Sequence, residues 1–537
     1  MKVSPHLLQH LGIVAGIFDI LGIGELIDQL IPKKNDHKIP HSIVVKAMII
    51  NGLGFTGQRL YLFPNFFKNL PVEMLLGKGI TAEDLNDDLI GRTLDAIYKY
   101  GPSEFFQAIV LHVASKFCLD TQLLHGDTTN FSVFGKYKED APDGTDSIKI
   151  TFGHAKDGRT DLKRFVLGMV TNQRGLPLCA KAYSGNMSDK HSIPEMIRIT
   201  QKALENFLTN LSIWIADSSF YTEKNIQSVG ETPWITRMPA TLKEAKGLLK
   251  SEFEMIQGQD QRYSFYSAES NYGGIPQKII VVQSDENRKS NESKFNKKIR
   301  DVDRKAKKDL RALMRKRFAC VPDAEAEARR WISEQPYHQF SKLIISKVIE
   351  RQEGKIGRPR KDEDVNVSYI INAELEKDAN AIEKDRIRLG RFLLATNQLD
   401  LEPEQILNYY KGQQNVERGF RFLKDKSFHV SEVYLKKEER IESLAMIMVL
   451  DLFVYSFAEG KLRDELKEKE QYVPNQLNKP TQRPTMRWIF SLFTGVIRTT
   501  VISSEGVVEE STNLDEVQRM ILSLLGPECE KYYGVKS

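Results

Sequence analysis

The stretch Tyr410-Lys-Gly-Gln413-Gln-Asn-Val-Glu417-Arg-Gly-Phe-Arg-Phe-Leu-Lys424 carries four polar side chains at helical spacing. At about 100° per residue, with Tyr410 set at zero, Gln413 falls at about 300°, Glu417 at about 340° and Lys424 at about 320°. All four therefore share one face of a helix that the sequence predicts from about Pro403 to Lys424. Such a face is either a solvated stripe or one wall of a site. Which it is depends on the residues that the fold brings to it.

Two acids upstream occupy unusual places. Asp127 follows the apolar run Leu123-Leu124 and precedes Thr128-Thr129, while Asp217 ends the run Ile213-Trp214-Ile215-Ala216. Both runs read as strands. A charge inside or just past a buried strand costs several kcal/mol unless something compensates. The ordinary alternative is an Asx turn or a helix cap. The acids Asp87, Asp88, Asp157 and Asp161 end no apolar run and are set aside as metal ligands.

Tyr410, two residues, Gln413, three residues, Glu417, six residues, Lys424 resembles the signature helix of the insertion-sequence transposases of the IS4 superfamily. That pattern has Tyr, Arg, Glu and Lys, so Gln413 stands where the family has Arg. His125-Gly-Asp127-Thr-Thr and Ile215-Ala-Asp217-Ser-Ser resemble the family's two aspartate segments. Between them, Gly153-His154-Ala-Lys156-Asp157 through Asp161-Leu-Lys163, and Gly185-Asn186-Met-Ser188-Asp189, match further pieces. Leu85-Asn-Asp-Asp88, Gly91-Arg92 and Leu94-Asp95 are similar to the helical domain of the IS1634-like branch. Together the matches span most of residues 40 to 460.

The resemblance implies an α/β catalytic core of RNase H-like fold, a mixed sheet with flanking helices, interrupted by a large insertion and preceded by an all-α N-terminal domain. It implies that Asp127, Asp217 and Glu417 are the catalytic acids and hold two Mg²⁺ ions, with Mn²⁺ as a substitute; Asp127 would bridge the pair. Carboxylates suit such hard cations. The reaction implied is cleavage of double-stranded DNA at the terminal inverted repeats, then strand transfer into target DNA by a homodimer. Tyr410, Gln413 and Lys424 would contact the DNA backbone, Gln413 without the charge of the family's Arg. His154 and Lys156 are further candidates for DNA contact, and Asn186, Ser188 and Asp189 are read as shaping a turn. A bacterial-type, cytoplasmic, nucleoid-associated protein follows from the same likeness. Two other readings stay open: a catalytically silent DNA-binding protein derived from a transposase, and an RNase H-like nuclease.

The rest of the chain is consistent with several domains. Its 537 residues carry a formal charge of only +5, so position matters more than total. Residues 1–115 read as helical, with Thr81–Asp84 and Ser103–Glu104 as helix starts, and by exclusion are expected to bind the DNA ends. Residues 116–240 read as the first part of the core, 241–388 as a basic insertion with DNA contacts, 389–460 as the second part of the core, and 461–537 as a C-terminal region with dimerisation as its candidate role. From Arg288 to Arg317 basic residues outnumber acids about three to one. Gly357-Arg358-Pro359-Arg360-Lys361 resembles an AT-hook, placing Arg358 and Arg360 in a minor groove, but is equally a basic turn. Cys118, Cys179, Cys320 and Cys529 lack zinc or disulfide spacing and read as free thiols in a reducing cytoplasm. Leu11–Gly24, interrupted by Asp19, reads as a core helix rather than a membrane span.

Overall fold

The apolar runs that read as strands converge on one sheet of nine strands. The computed structural model describes residues 2–34, 38–55, 63–135, 137, 147–155, 158–207, 212–351, 365–425, 435, 437–503 and 506–535. In chain order the strands are β1 (Lys2–Leu7), β2 (Leu123–Val133), β3 (Lys163–Asn172), β4 (Pro177–Ser184), β5 (Ile213–Ala216), β6 (Trp234–Arg237), β7 (Ile256–Gln257), β8 (Tyr263–Ser270), β9 (Gln277–Ser284), β10 (His338–Arg351), β11 (Val365–Lys377) and β12 (Arg391–Thr396). The main sheet runs β4-β3-β2-β5-β6-β12-β9-β8-β7. Antiparallel pairing joins β4, β3 and β2; β2, β5 and β6 are parallel; β12 is antiparallel to both β6 and β9.

The middle of this sheet is covered on both faces, which is why β3 is buried almost throughout and reads as a continuous apolar run. Gly168 lies under Met196 of the helix Asp189–Ala203, whereas Met169, pointing the other way, lies under Gly419 of the helix Gln413–Leu423. Behind that second helix runs Glu438–Glu468. It is long and apolar enough to cross a membrane, but 78% of its most apolar window is buried inside the protein. Its partners are the N-terminal helices His41–Leu53 and Asp87–Tyr100, strand β4 and the helix Glu516–Leu525. Arg440 near its start forks onto Asp95 with two bonds of 2.7 Å, a charge-assisted pair that ties the helical region to the core.

Three expectations change. Thr81 and Asp84 close a turn, and the following helix begins at Asp87, because the Asn86 side chain accepts from Leu89 N at 2.9 Å. The next helix starts on Pro102, a residue suited to a first helical position, ahead of Ser103. Residues 241–388 do not behave as one insertion. Their polar composition hides β7, β8 and β9, which extend the main sheet through the fully buried Ile279, Ile280, Val281 and Val282.

What stands off the sheet is 285–387: the helices Asp285–Met314 and Val321–Ser333, the β10–β11 hairpin and the helix Ala379–Ile387. Leu310, Leu313, Ala324, Ala328, Ile371 and Ala373 give it a small core of its own.

The described C-terminal residues fold back onto the N-terminal ones. β1 pairs with the strand Ile497–Ser503, and the helix Pro527–Tyr533 packs on Leu11–Leu21. Gly12 and Gly16 leave the room that Tyr533 and Cys529 fill. Buried Lys46 meets Asp19 at 2.6 Å and the Tyr532 hydroxyl at 2.7 Å, and Tyr532 in turn donates to Asp19. Such an ion pair holds only while fully bonded, since removing one partner strands a buried charge.

Candidate active site

The sheet's pleat gathers the site. Register pairs Leu123↔Ile213 and His125↔Ile215 between parallel β2 and β5 make Asp127 and Asp217 the next pair, just past the end of β5. Likewise Ile215↔Ile235 and Ala216↔Thr236 between β5 and β6 make Asp217 and Arg237 the next pair. Because side chains alternate with a period of two, Asp127, Asp217 and Arg237 belong to one face of the sheet. The helix Pro403–Lys411 covers that face, its Ile406 and Leu407 packing with Leu123, Ile215 and Ile235.

Asp127 and Asp217 are half-buried, and Glu417 is exposed. Asp127 Oδ1 accepts from Thr128 N at 2.7 Å. Asp217 Oδ1 accepts from the Ser219 amide at 2.9 Å and the Ser219 hydroxyl at 2.5 Å. Asp217 is thus a turn-forming acid just past β5, whereas Asp127 lies inside β2, paired with Met169 of β3. Glu417 has no hydrogen-bond or ion-pair partner among the described residues.

Tyr410 ties the three together. Burial pushes its hydroxyl up to about 12; nearby Arg237 opposes, and Asp217, Glu417 and Asp127 each push it further up. One neutral phenol therefore lies in the field of all three acids and one cation. The acids do not form a closed cage: among the described residues no three His, Cys, Asp or Glu side chains are grouped to hold a metal ion. Their chemistry nevertheless fits a hard divalent cation, being carboxylate oxygen throughout.

Gln413 takes a different place from the one expected. It is 5% exposed, and its Nε2 donates to the Gly126 carbonyl at 3.1 Å. Its side chain anchors the helix to β2, facing inward where a DNA contact was expected. The helix itself divides at Gly412 into Pro403–Lys411 and Gln413–Leu423, although Gly412 keeps helical dihedrals of φ −61° and ψ −18°. Beside this joint His125 is buried, its imidazole pushed down to about 4 by burial, with Gln413 opposing the shift. Among the described residues neither His125 ring nitrogen nor Gln413 Oε1 completes a hydrogen bond.

The remaining candidates are spread around this centre. Lys424, half-buried at the helix end, sits with Nζ 5.6 Å from the centre of the Phe131 ring. His154 is exposed, and its backbone carbonyl accepts from Asn130 and from Arg164. Lys156, Arg358 and Arg360 lie outside the described residues. Asn186 is exposed in the turn after β4, and Ser188 occupies the N-cap position of Asp189–Ala203, its hydroxyl 2.7 Å from His191 Nδ1. Gly153 and Gly185 cross so closely that a Cβ on Gly153 would lie 1.8 Å from the Gly185 carbonyl.

Sequence reading missed Arg237. Its signal was the one used for Asp217, a charge ending an apolar strand.

The helix Asp285–Met314 is sorted by charge. Phe295, Ile299, Ala306, Leu310 and Leu313 are buried on one side. Two of its acids are engaged near that side: Asp303 with Lys307 at 2.9 Å and His338 at 3.1 Å, and Glu292 with Arg386 at 3.1 Å. Lys297, Arg300, Lys308 and Arg311 are exposed on the outer face.

Residues 126–453 match the family model described as a transposase DDE domain, and residues 3–111 match one described as a domain of unknown function, DUF4277. No curated protein matches the chain. Among solved structures it is loosely similar to a piggyBac transposase synaptic complex with hairpin DNA, at 8% identity and a TM-score of 0.38, covering 92% of this chain and 83% of that one. With more than half of its length inside the first match, the chain belongs to the family of transposases with a DDE domain.

Proposed function

We propose that this protein is an insertion-sequence transposase of the IS4 superfamily, on its IS1634-like branch, which cuts double-stranded DNA at the ends of its element and joins them to target DNA. The observation that supports the reading is the register that brings Asp127 and Asp217 side by side on one face of the sheet, beneath the helices that carry Tyr410 and Glu417. The order β4-β3-β2-β5-β6, three antiparallel strands followed by two parallel to the third, supports an RNase H-like core.

Asp127 would hold both ions, with Asp217 and Glu417 closing one side each. Two Mg²⁺ ions, or Mn²⁺ in their place, supply positive charge to the attacking and leaving oxygens when bound. Exposed Glu417, on a surface helix, is free to swing onto an ion as the DNA arrives. Tyr410, neutral at any working pH, donates a hydrogen bond to the backbone phosphate. Lys424 offers a point charge to the same strand. The outer face of Asp285–Met314 tracks the duplex backbone, and the N-terminal helices read the terminal inverted repeats. Two copies are needed, because both ends must be cut in one assembly working on the nucleoid.

The test uses purified protein and DNA carrying the ends that flank its own coding region. Wild type should cut with Mg²⁺ or Mn²⁺, stop on chelation, and join precleaved ends to a target plasmid. Glu417→Ala should abolish cutting and leave DNA binding intact; unchanged cutting sinks the triad. Binding without cutting by wild type identifies a silent DNA-binding protein, and hydrolysis without joining identifies a nuclease. Light scattering of the DNA complex at the mass of one copy would rule out the dimer.

A further inference from the structure

A cluster of three carboxylates repels the phosphate it is meant to bind, so the site needs a fixed cation as well as ions. In the family pattern the helix supplies an arginine, yet here that position is Gln413, buried against Gly126. The sheet offers a replacement. Arg237 ends β6 in register with Asp217, on the same face as Asp127. Its guanidinium lies 5.6 Å from the centre of the Phe392 ring, within cation–π range. It is exposed, and among the described residues it has no hydrogen bond or ion pair to occupy its donors. A planar fork near an aromatic ring, beside an acid and open to solvent, suits two oxygens of one phosphate.

We propose that Arg237 is the cation that grips a DNA phosphate at the reacting end, doing from strand β6 what the family's arginine does from the helix. The proposal rests on the transposase reading above. It places the phosphate between Arg237 and the Tyr410 hydroxyl, with Asp217 on the sheet beside the guanidinium.

The test is single-turnover cutting by wild type, Arg237→Ala and Arg237→Lys on a set of duplexes, each carrying one neutral methylphosphonate at a successive position around the cut. On unmodified DNA, Arg237→Ala should cut about 100-fold more slowly, the usual scale for a donor that meets developing charge, with part of the rate restored in Arg237→Lys. One modified duplex should slow wild type by a similar factor and slow Arg237→Ala hardly further, marking the gripped phosphate. Cutting by Arg237→Ala at the wild-type rate overturns the proposal, as does an equal loss on every duplex, which would mark a structural role. Melting temperatures should match wild type because the side chain is exposed. If Arg237→Ala melts lower, the comparison of Arg237→Lys with wild type decides in its place. A wild type that cuts no DNA overturns the transposase reading and this proposal with it, whereas a normal wild type with a normal variant overturns the proposal alone.

Discussion

His125 rests directly on the backbone of Gly412: a methyl group at position 412 would lie 2.5 Å from its Cε1 and 2.7 Å from its Nε2. Nothing about the dihedrals of Gly412 demands glycine, so the requirement is one of space. Strand β2 and the helix that carries Glu417 can approach only because that side chain is missing.

Gly412→Ala should therefore force the helix off β2. Overpacking of this kind costs about 1–3 kcal/mol, and it moves Glu417 relative to Asp127. Expected are a lower melting temperature and a loss of cutting that exceeds any loss of DNA binding. Wild-type melting would show that His125 yields without cost.

Gln413→Arg restores the family's residue yet should harm this protein. The position is buried against the Gly126 carbonyl, so a guanidinium there leaves water. Burying an unpaired charge costs several kcal/mol, so a drop in chemical-denaturation stability is expected, with Gln413→Met milder. Stabilisation by Arg would mean that the side chain escapes to solvent.

Glu442 and Asp451 contribute stability that falls as pH rises, opposite in sign to carboxylate ion pairs and to buried His10 and His125, whose values are pushed down to about 4 and which add stability as pH rises towards 6.5. Glu442 is pushed up to about 7, first by burial, with Glu104 and Glu439 adding and Lys181 and the Ile148 amide opposing. Asp451, buried within the long helix beside Gly52, is likewise raised well above the ordinary carboxylate range by burial, and its Oδ1 has no partner. Both groups bind a proton more tightly in the folded state. Their contribution is whole below the ordinary value of 4.5 for Glu442 and declines until about 7. For Glu442 the loss is on the order of 2 kcal/mol. Urea titrations of wild type and Glu442→Gln between pH 4.5 and 7.5 isolate it: wild type should lose stability relative to the variant as pH rises. An unchanged slope in that variant would remove Glu442 as the source.

The outer face of Asp285–Met314 predicts a salt effect. Replacing Lys297, Arg300, Lys308 and Arg311 with Glu should weaken binding to any duplex and lower the dependence on salt by roughly one unit of slope per lost phosphate contact. Filter binding from 50 to 200 mM salt measures it. An unchanged slope would assign the face to solvent.

The sequence made the central strands legible because each is a short apolar run, as in Phe165–Thr171 and Trp234–Arg237. Spacing alone also placed Glu417 on a helix face. It did not reveal which side of the polar stripe faces inward. At about 300°, Gln413 lies next to Phe420 at about 280° and Val416 at about 240°, so it belongs to the core edge, while Glu417 at about 340° clears it. β8 escaped notice because Tyr-Ser-Phe-Tyr-Ser-Ala-Glu-Ser pairs near a sheet edge and keeps polar groups in water. Arg237 carried a sequence signal as the charge that ends an apolar strand, but its meaning depends on lying beside Asp217, and strand register is not written in a single sequence. The contact of β1 with Ile497–Ser503 was hidden for the same reason, with nearly the whole chain between the partners.

That last contact bears on the order in which the protein is made. Leu11–Leu21 leaves the ribosome long before its partner Pro527–Tyr533. Until the second arrives, Gly12 and Gly16 face an empty groove, β1 is an unpaired edge, and Lys46 and Asp19 lack the Tyr532 hydroxyl. A nascent chain halted anywhere before residue 527 thus exposes a sticky apolar helix and an open strand, the features that lead to aggregation or proteolysis. The N-terminal packing is therefore completed only after the residues of the main sheet have been translated.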